Sequence, residues 1–333
     1  MPASINLPKV SLILAPTPLH RLDRMSDELG IDLWIKRDDL TGFAMGGNKG
    51  RKLEYLMGEA LRQGATTVIT CGAAQSNFVR QLAAACSRFN VKFIAVVMPL
   101  PYEFEPVSGG LKPEGGNILL NHLLGADIRK MPNGTWDTMF DETKRVAEEC
   151  RQSGETVYEI PIGGSSPQGA YAFYEAGLEL LNQDPNFDLV IGASSSGSTQ
   201  TGLTYAFAGT NTHFRGVACD PEPEMVHEFA ALAKGIDDIT GKNLDLTAED
   251  FDFDLRYVGP GYGVPSDGGT KAIEKLARTE GIFLDPVYSG KGFHGLLEMA
   301  KNGELPKRVC FWHTGGSPAL FAMEGGHLAL QEL

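Results

Sequence analysis

The sequence has no run of Lys and Arg, and its 29 basic residues are outnumbered by 42 acidic ones, for a formal net charge of −13. That balance excludes nucleic acid and an anionic membrane surface as expected partners. Charged residues interrupt every apolar stretch well before the roughly 18 residues that a membrane span requires. The opening stretch MPASINLPKVSLILAP has no basic region ahead of its short SLIL run, which predicts no secretion signal. Cysteine is sparse: Cys71, Cys86, Cys150, Cys219 and Cys310 are widely spaced and include no CxxC pair. An odd, scattered set fits reduced thiols in a cytoplasmic protein, not a disulfide framework or a zinc site. The seven histidines show no HxxxH spacing, so no metal is expected. A GxGxxG fingerprint is missing, which disfavours a dinucleotide, and a GxSxG elbow is missing, which weakens a hydrolase reading.

Glycine is what the chain has in excess: 40 residues, about 12% against a background near 7%. The glycines are not periodic, so neither collagen nor a low-complexity linker is implied. They cluster, as at Gly46-Gly47, Gly163-Gly164 and Gly315-Gly316, where tight turns let backbone approach a ligand. Around them, apolar and β-branched runs alternate with segments of helical period. Strands are predicted at 33–36, 67–71, 93–98, 156–160, 189–193, 214–219 and 309–313. Helices are predicted at 52–62, 77–89, 135–152, 168–181 and 270–278; Leu53, Leu56, Met57, Ala60 and Leu61 mark one buried helical face. The strand–helix alternation predicts an α/β fold, a parallel-rich sheet with helices on both faces. Ligands in such folds bind beyond the C-terminal strand ends, where the glycine turns lie. Two regions read as loops: 100–116, expected to cover a ligand site, and the acidic stretch 235–253, expected to be solvated.

Three constellations could carry chemistry. In Gly46-Gly47-Asn48-Lys49-Gly50-Arg51-Lys52-Leu53-Glu54, the Gly42–Gly47 spacing suits a P-loop, but Asn48 stands where that motif needs Lys. What remains is Lys49 directly after a tight turn and beside a helix start. It is either a solvated helix-end lysine or a poorly solvated one whose lowered pKa makes it a nucleophile or base. Gln75-Ser76-Asn77 follows a strand and opens a helix; such residues cap helices, and the same geometry can hold a carboxylate. Ser194 to Gly202 is a hydroxyl- and glycine-rich turn between strand and helix, a source of N–H donors for a phosphate.

The ordered set KRDD, GGNKxRKLE, QSN, GSTQxG, GYGVP, LDPVYSGK and HTGG resembles the D-cysteine desulfhydrase and 1-aminocyclopropane-1-carboxylate deaminase group over about residues 16–322. The resemblance implies pyridoxal 5′-phosphate as cofactor and a two-domain fold type II, tryptophan synthase β-like. Residues 1–47 plus 161–333 would form the large domain, and 48–160 a smaller inserted one. Lys49 would carry the cofactor and act as base at Cα, Asn77 would touch the cofactor's 3′-oxygen, and Ser76 would lie beside the reacting substrate. Ser196, Gly197, Ser198 and Thr199 would cup the phosphate with help from Lys52. Tyr262 and Tyr288 would be the active-site tyrosines, and Gln75 and Phe78 would join Ser76 and Asn77 around the substrate. A homodimer is implied as well.

At two cofactor positions, Ser289 and Thr314 stand where deaminases of the group resemble each other in having Glu and Leu. This is the desulfhydrase-like pattern. It implies β-elimination from a small amino acid, D-cysteine giving pyruvate, ammonia and hydrogen sulfide. Cysteate sulfo-lyase and aminocyclopropane carboxylate deaminase are the alternative activities, and a catalytically silent binding protein is the alternative class. Phe78, where relatives place His or Gln, and the 99–116 loop with Tyr102, Phe104 and Lys112, depart from the familiar pattern.

Overall fold

The computed structural model describes residues 7–103 and 105–324, so Phe104 and the start of the MPASINLPKV stretch lie outside the described residues. Ten strands are described: Leu19–Arg21 (β1), Asp32–Arg37 (β2), Thr67–Ala73 (β3), Lys92–Met98 (β4), Asp127–Lys130 (β5), Val157–Glu159 (β6), Leu189–Ser194 (β7), His213–Ala218 (β8), Asp252–Asp254 (β9) and Arg308–His313 (β10). The helices are Asp23–Leu29 (α1), Lys49–Arg62 (α2), Asn77–Phe89 (α3), Gly116–Leu123 (α4), Trp136–Gln152 (α5), Pro167–Gln183 (α6), Ser198–Phe207 (α7), Met225–Thr240 (α8), Asp267–Glu280 (α9) and Ser289–Lys301 (α10).

Two sheets result. One has the order β1-β2-β10-β7-β8-β9, and the other β5-β4-β3-β6. Only β1 runs antiparallel to its neighbour. Parallel pairing demands crossover helices, which cover both faces and leave the central strands nearly without polar sides. All seven residues of β3 and all six of β7 are accordingly buried. Registers decide where the connecting turns emerge. Ser194 pairs with Ala218, so the turn after β7 and the segment after β8 leave the sheet side by side. In the other sheet Ala73 pairs with Met98, which sets Gln75-Ser76-Asn77 beside the start of the 99–116 loop.

The seven predicted strands are all present, and β1, β5 and β9 are additions. Helix α2 begins three residues before the expected start. Its first turn is docked by the Asn48 N–H, which donates to the Thr314 carbonyl at 2.9 Å, a contact no local pattern carries. The stretch 235–253, expected to be a solvated loop, is mostly exposed over 241–250 but departs from that expectation at its two ends. It begins inside α8, whose Phe229, Ala233 and Ile236 are buried, and ends in β9. Its acidic residues fold back: the Asp237 carboxylate accepts from the Tyr205 hydroxyl at 2.6 Å and from the Leu244 N–H at 2.7 Å.

The KRDD segment is architectural. Arg51 donates to Asp38 at 2.9 Å and to Glu179 at 3.0 Å, Lys36 reaches Glu179 at 2.5 Å, and the Trp312 indole donates to Asp38 at 3.0 Å. This buried network ties α2, the helix that carries Lys49, to the large sheet and to α6.

Candidate active site

Lys49 opens α2 behind two glycines with positive φ, Gly46 at 73° and Gly47 at 119°. A Cβ on Gly47 would lie 2.7 Å from the Gln81 side chain, and one on Gly315 would lie 2.6 Å from the Gly47 Cα. The two glycine turns are therefore packed face to face, and side chains there would push Lys49 out of place. Burial drives the Lys49 ammonium down to about 8. Lys52, one turn on, is pushed well below the usual lysine range, first by burial and then by Lys49. Its Nζ donates to the Gly163 carbonyl at 3.1 Å.

Opposite stands the N-terminus of α7. Its first-turn N–H groups have no partners within the helix and point at the turn, where the helix dipole favours an anion. Gly197, with φ at 96°, packs so closely that a Cβ would meet the Phe229 ring at 2.4 Å. Ser165 braces this turn by donating to the Ser196 carbonyl at 2.5 Å, and Asn48 donates to the Thr199 hydroxyl at 3.1 Å.

On the other sheet, Ser76 caps α3 by accepting from the Val79 N–H at 3.3 Å. The Asn77 side-chain oxygen accepts from Arg80 at 2.7 Å and from Asn117 at 3.0 Å. With its oxygen committed, Asn77 turns its amide nitrogen to the cavity. Tyr262 and Tyr288 meet hydroxyl to hydroxyl at 2.5 Å. Burial raises both phenols well above their usual range, so the pair stays protonated.

These groups enclose one cavity of about 670 Å³. Of the residues expected from sequence, Lys49, Lys52, Ser76, Asn77, Phe78, Ser196, Gly197, Thr199, Tyr262, Tyr288 and Thr314 line it. Three do not. Gln75 is held by the 112–117 segment, donating to the Lys112 carbonyl at 3.0 Å and accepting from the Asn117 N–H at 2.9 Å, and it faces a second cavity of about 260 Å³ behind the tyrosines. Ser289 is fully buried, its hydroxyl donating to Asp285 at 2.6 Å. Ser198 is also fully buried, with its hydroxyl 3.3 Å from that of Ser165. Phe78 lines the cavity while its ring packs in the core around α2 and α3, 1% exposed. The 99–116 loop reaches the main cavity through Glu103 and the second one through Leu111, Lys112 and Pro113.

Sequence reading missed Ser165, Arg80, Asn117 and the cavity-lining carboxyls Asp220 and Glu222. Only Ser165 had a local signal, in the Gly163-Gly164-Ser165-Ser166 turn after a strand. Among the described residues, no group of His, Cys, Asp and Glu is arranged to hold a metal ion, and no helix is long and apolar enough to cross a membrane.

The donor set suits pyridoxal phosphate: a helix N-terminus for the dianion, a buried amine for the aldehyde, and an amide N–H for a ring oxygen. Comparison with known proteins agrees. The family model described as "Pyridoxal-phosphate dependent enzyme" matches residues 10–315. A 1-aminocyclopropane-1-carboxylate deaminase of Burkholderia cenocepacia is 37% identical over 331 residues, covering 96% of this chain and 97% of that one. A putative 1-aminocyclopropane-1-carboxylate deaminase of Thermotoga maritima is 38% identical over 322 residues, covering 94% and 98%. The crystal structure of an ACC deaminase homologue superposes with a TM-score of 0.85 at 34% identity, covering 95% of this chain and 94% of that one. With a lysine, an anion-binding helix end and a tyrosine pair around one cavity, the chain belongs to the pyridoxal-phosphate-dependent enzymes, in the D-cysteine desulfhydrase and ACC deaminase family.

Proposed function

We propose that this lyase catalyses β-elimination from a small amino acid, with D-cysteine giving pyruvate, ammonia and hydrogen sulfide as the first reaction to test. Bound pyridoxal phosphate supplies an electron sink for the bonds at Cα, and the protein selects which bond breaks. Lys49 removes the Cα proton, a task suited to an amine whose pKa burial has brought to about 8. Ser76 and the Asn77 amide hold the substrate end of the cavity. The tyrosine pair hands a proton to the departing group, which both phenols can do because both stay protonated.

The observation that supports elimination over ring opening is the state of position 289. Its hydroxyl is committed to Asp285, and the neighbouring cavity wall is Thr314 with Gly315, which offers a hydroxyl and backbone. A carboxylate there would hold the cofactor's ring nitrogen protonated and stabilise negative charge at Cα. A hydroxyl does so less, which favours prompt expulsion of a β-substituent. Deamination of 1-aminocyclopropane-1-carboxylate is the second reading, favoured by the names of the relatives at 37–38% identity. Cysteate ranks below both, because Asp220 and Glu222 face the cavity and would meet its sulfonate.

The test is a release assay on cofactor-loaded protein with D-cysteine, L-cysteine, L-cysteate, D-serine and aminocyclopropane carboxylate. Pyruvate with sulfide is the expected product pair. 2-Oxobutyrate from the cyclopropane alone would replace this reading with the second one.

A further inference from the structure

We propose that Glu103, Asp220 and Glu222 form a subsite for a cationic side chain, so that the substrates are β-substituted amino acids whose leaving group ends in an ammonium or guanidinium. The inference rests on the elimination reading and names its substrate class. All three residues line the cavity that holds Lys49 and the tyrosines. Asp220 follows the end of β8 beside Ser195 and is only 8% exposed, and Glu103 reaches in from the 99–116 loop. None of the three pairs with a cation within 4.0 Å among the described residues. One Glu222 oxygen is buried without a hydrogen-bond donor.

The groups packed around them do not supply the missing charge. Lys291 lies on the Asp220 side, but its Nζ donates to the Gly261 carbonyl at 2.7 Å. The Trp136 indole beside Glu222 is neutral. At the cavity mouth Glu224 and Glu228 add negative charge beside His227. Burial, then Glu222, raises Asp220 to about 8, and burial with Glu103 raises Glu222. Asp220 is the buried member of the three, while Glu222 is half-buried and Glu103 exposed, and a buried carboxyl without a counter-charge is costly and is normally partnered. A bound cation is the partner this wall lacks. The cavity, about 670 Å³, has to hold cofactor and substrate together and lies within the roughly 300–1,000 Å³ common for ligand sites.

The balanced reaction needs no oxidant or reductant. For S-(2-aminoethyl)cysteine the Cα proton is removed and the Cβ–S bond breaks with its electron pair on sulfur. The sulfur takes a proton and leaves as 2-aminoethanethiol, and water converts the remainder to pyruvate and ammonia.

The experiment offers cofactor-loaded protein S-(2-aminoethyl)cysteine, S-propylcysteine and S-carboxymethylcysteine, in both enantiomers, with β-chloroalanine as a small substrate and pyruvate as readout. We expect kcat/KM to favour the cationic over the neutral thioether by about tenfold or more, with the anionic one last. Glu222→Gln, and separately Glu103→Gln, should each shrink the cationic-to-neutral ratio several-fold. Calorimetry with lysine, norleucine and 2-aminoadipate, shapes with no β leaving group, reads the subsite without turnover. Tighter binding of lysine that Glu222→Gln abolishes supports the subsite, even if no thioether reacts and the elimination reading falls. Turnover of β-chloroalanine with lysine bound no better than norleucine keeps elimination and overturns the subsite.

Discussion

Replacing Lys52 by methionine should strengthen the cofactor-free protein while weakening its hold on the cofactor. Lys52 is 1% exposed, has one carbonyl acceptor at 3.1 Å, and lies against a second buried lysine. Burial and Lys49 disfavour the charged form of Lys52, and an apolar side chain of similar size removes a buried polar group that one carbonyl only partly satisfies, worth about 1–3 kcal/mol. Against this, the Gly163 carbonyl loses its donor, at about 1 kcal/mol. The contact with the Phe173 ring, now 5.7 Å from Nζ, is kept by the thioether. A net gain of up to about 2 kcal/mol would raise Tm by as much as a few degrees in a chain of this size. On the cofactor side, one charge-assisted bond to phosphate is lost, worth about 1.5–3 kcal/mol, so Kd should rise by about 10- to 150-fold. Thermal unfolding of the cofactor-free proteins, with absorbance titration of the cofactor, reads both effects. A fall in Tm with unchanged Kd would refute the reasoning and make Lys52 a prop for the 163 turn.

Tyr262→Phe and Tyr288→Phe each break the 2.5 Å hydroxyl contact. The variant that lacks the proton donor should lose about 10²–10⁴ in kcat and the other about tenfold or less; equal, small losses would remove the pair from the chemistry. Burial raises Glu179, yet Arg51 and Lys36 outweigh it and hold the carboxyl at about 2, against its ordinary 4.5. Its contribution is therefore full above pH 4.5 and is lost as pH falls through 2. Tm measured against pH should show that slope, and Glu179→Gln should remove it while costing about 3–5 kcal/mol at neutral pH. An unchanged acid slope in the variant would assign acid lability elsewhere. Ser289→Glu places a second carboxylate beside Asp285, now 2.6 Å from the serine hydroxyl. Together with Thr314→Leu it should shift activity from elimination toward opening of the cyclopropane. Without a shift, selectivity belongs to Phe78 and the 99–116 loop.

What the sequence made legible follows from how local each signal is. The central strands announce themselves because a parallel strand covered on both faces is an uninterrupted apolar run, as in Thr67–Ala73. Strands β5 and β9, Asp-Ile-Arg-Lys and Asp-Phe-Asp, sit at sheet edges and are short and charged. They exist because a neighbour offers free backbone groups, and composition carries no trace of that. The same division runs through the site. Lys49 after Gly46-Gly47 and the Ser196 to Thr199 turn are built from consecutive residues, so their chemistry can be read in place. Arg80 and Asn117 act only by meeting Asn77 from 3 and 40 positions away, and Asp220 and Glu222 only by facing a cavity that distant segments close.

Gln75 is the converse case: it adjoins Ser76 in sequence but lines the second cavity in space. Helix α3 begins only at Asn77, with Ser76 as its extended N-cap and Gln75 in the turn before it. Ser76 and Asn77 line the cavity, while the Gln75 side chain is bonded into the 112–117 segment. Its two hydrogen bonds there fasten the stretch that leads into α4, which carries Asn117 and so orients Asn77. Through that chain of contacts Gln75 bears on the position of Asn77.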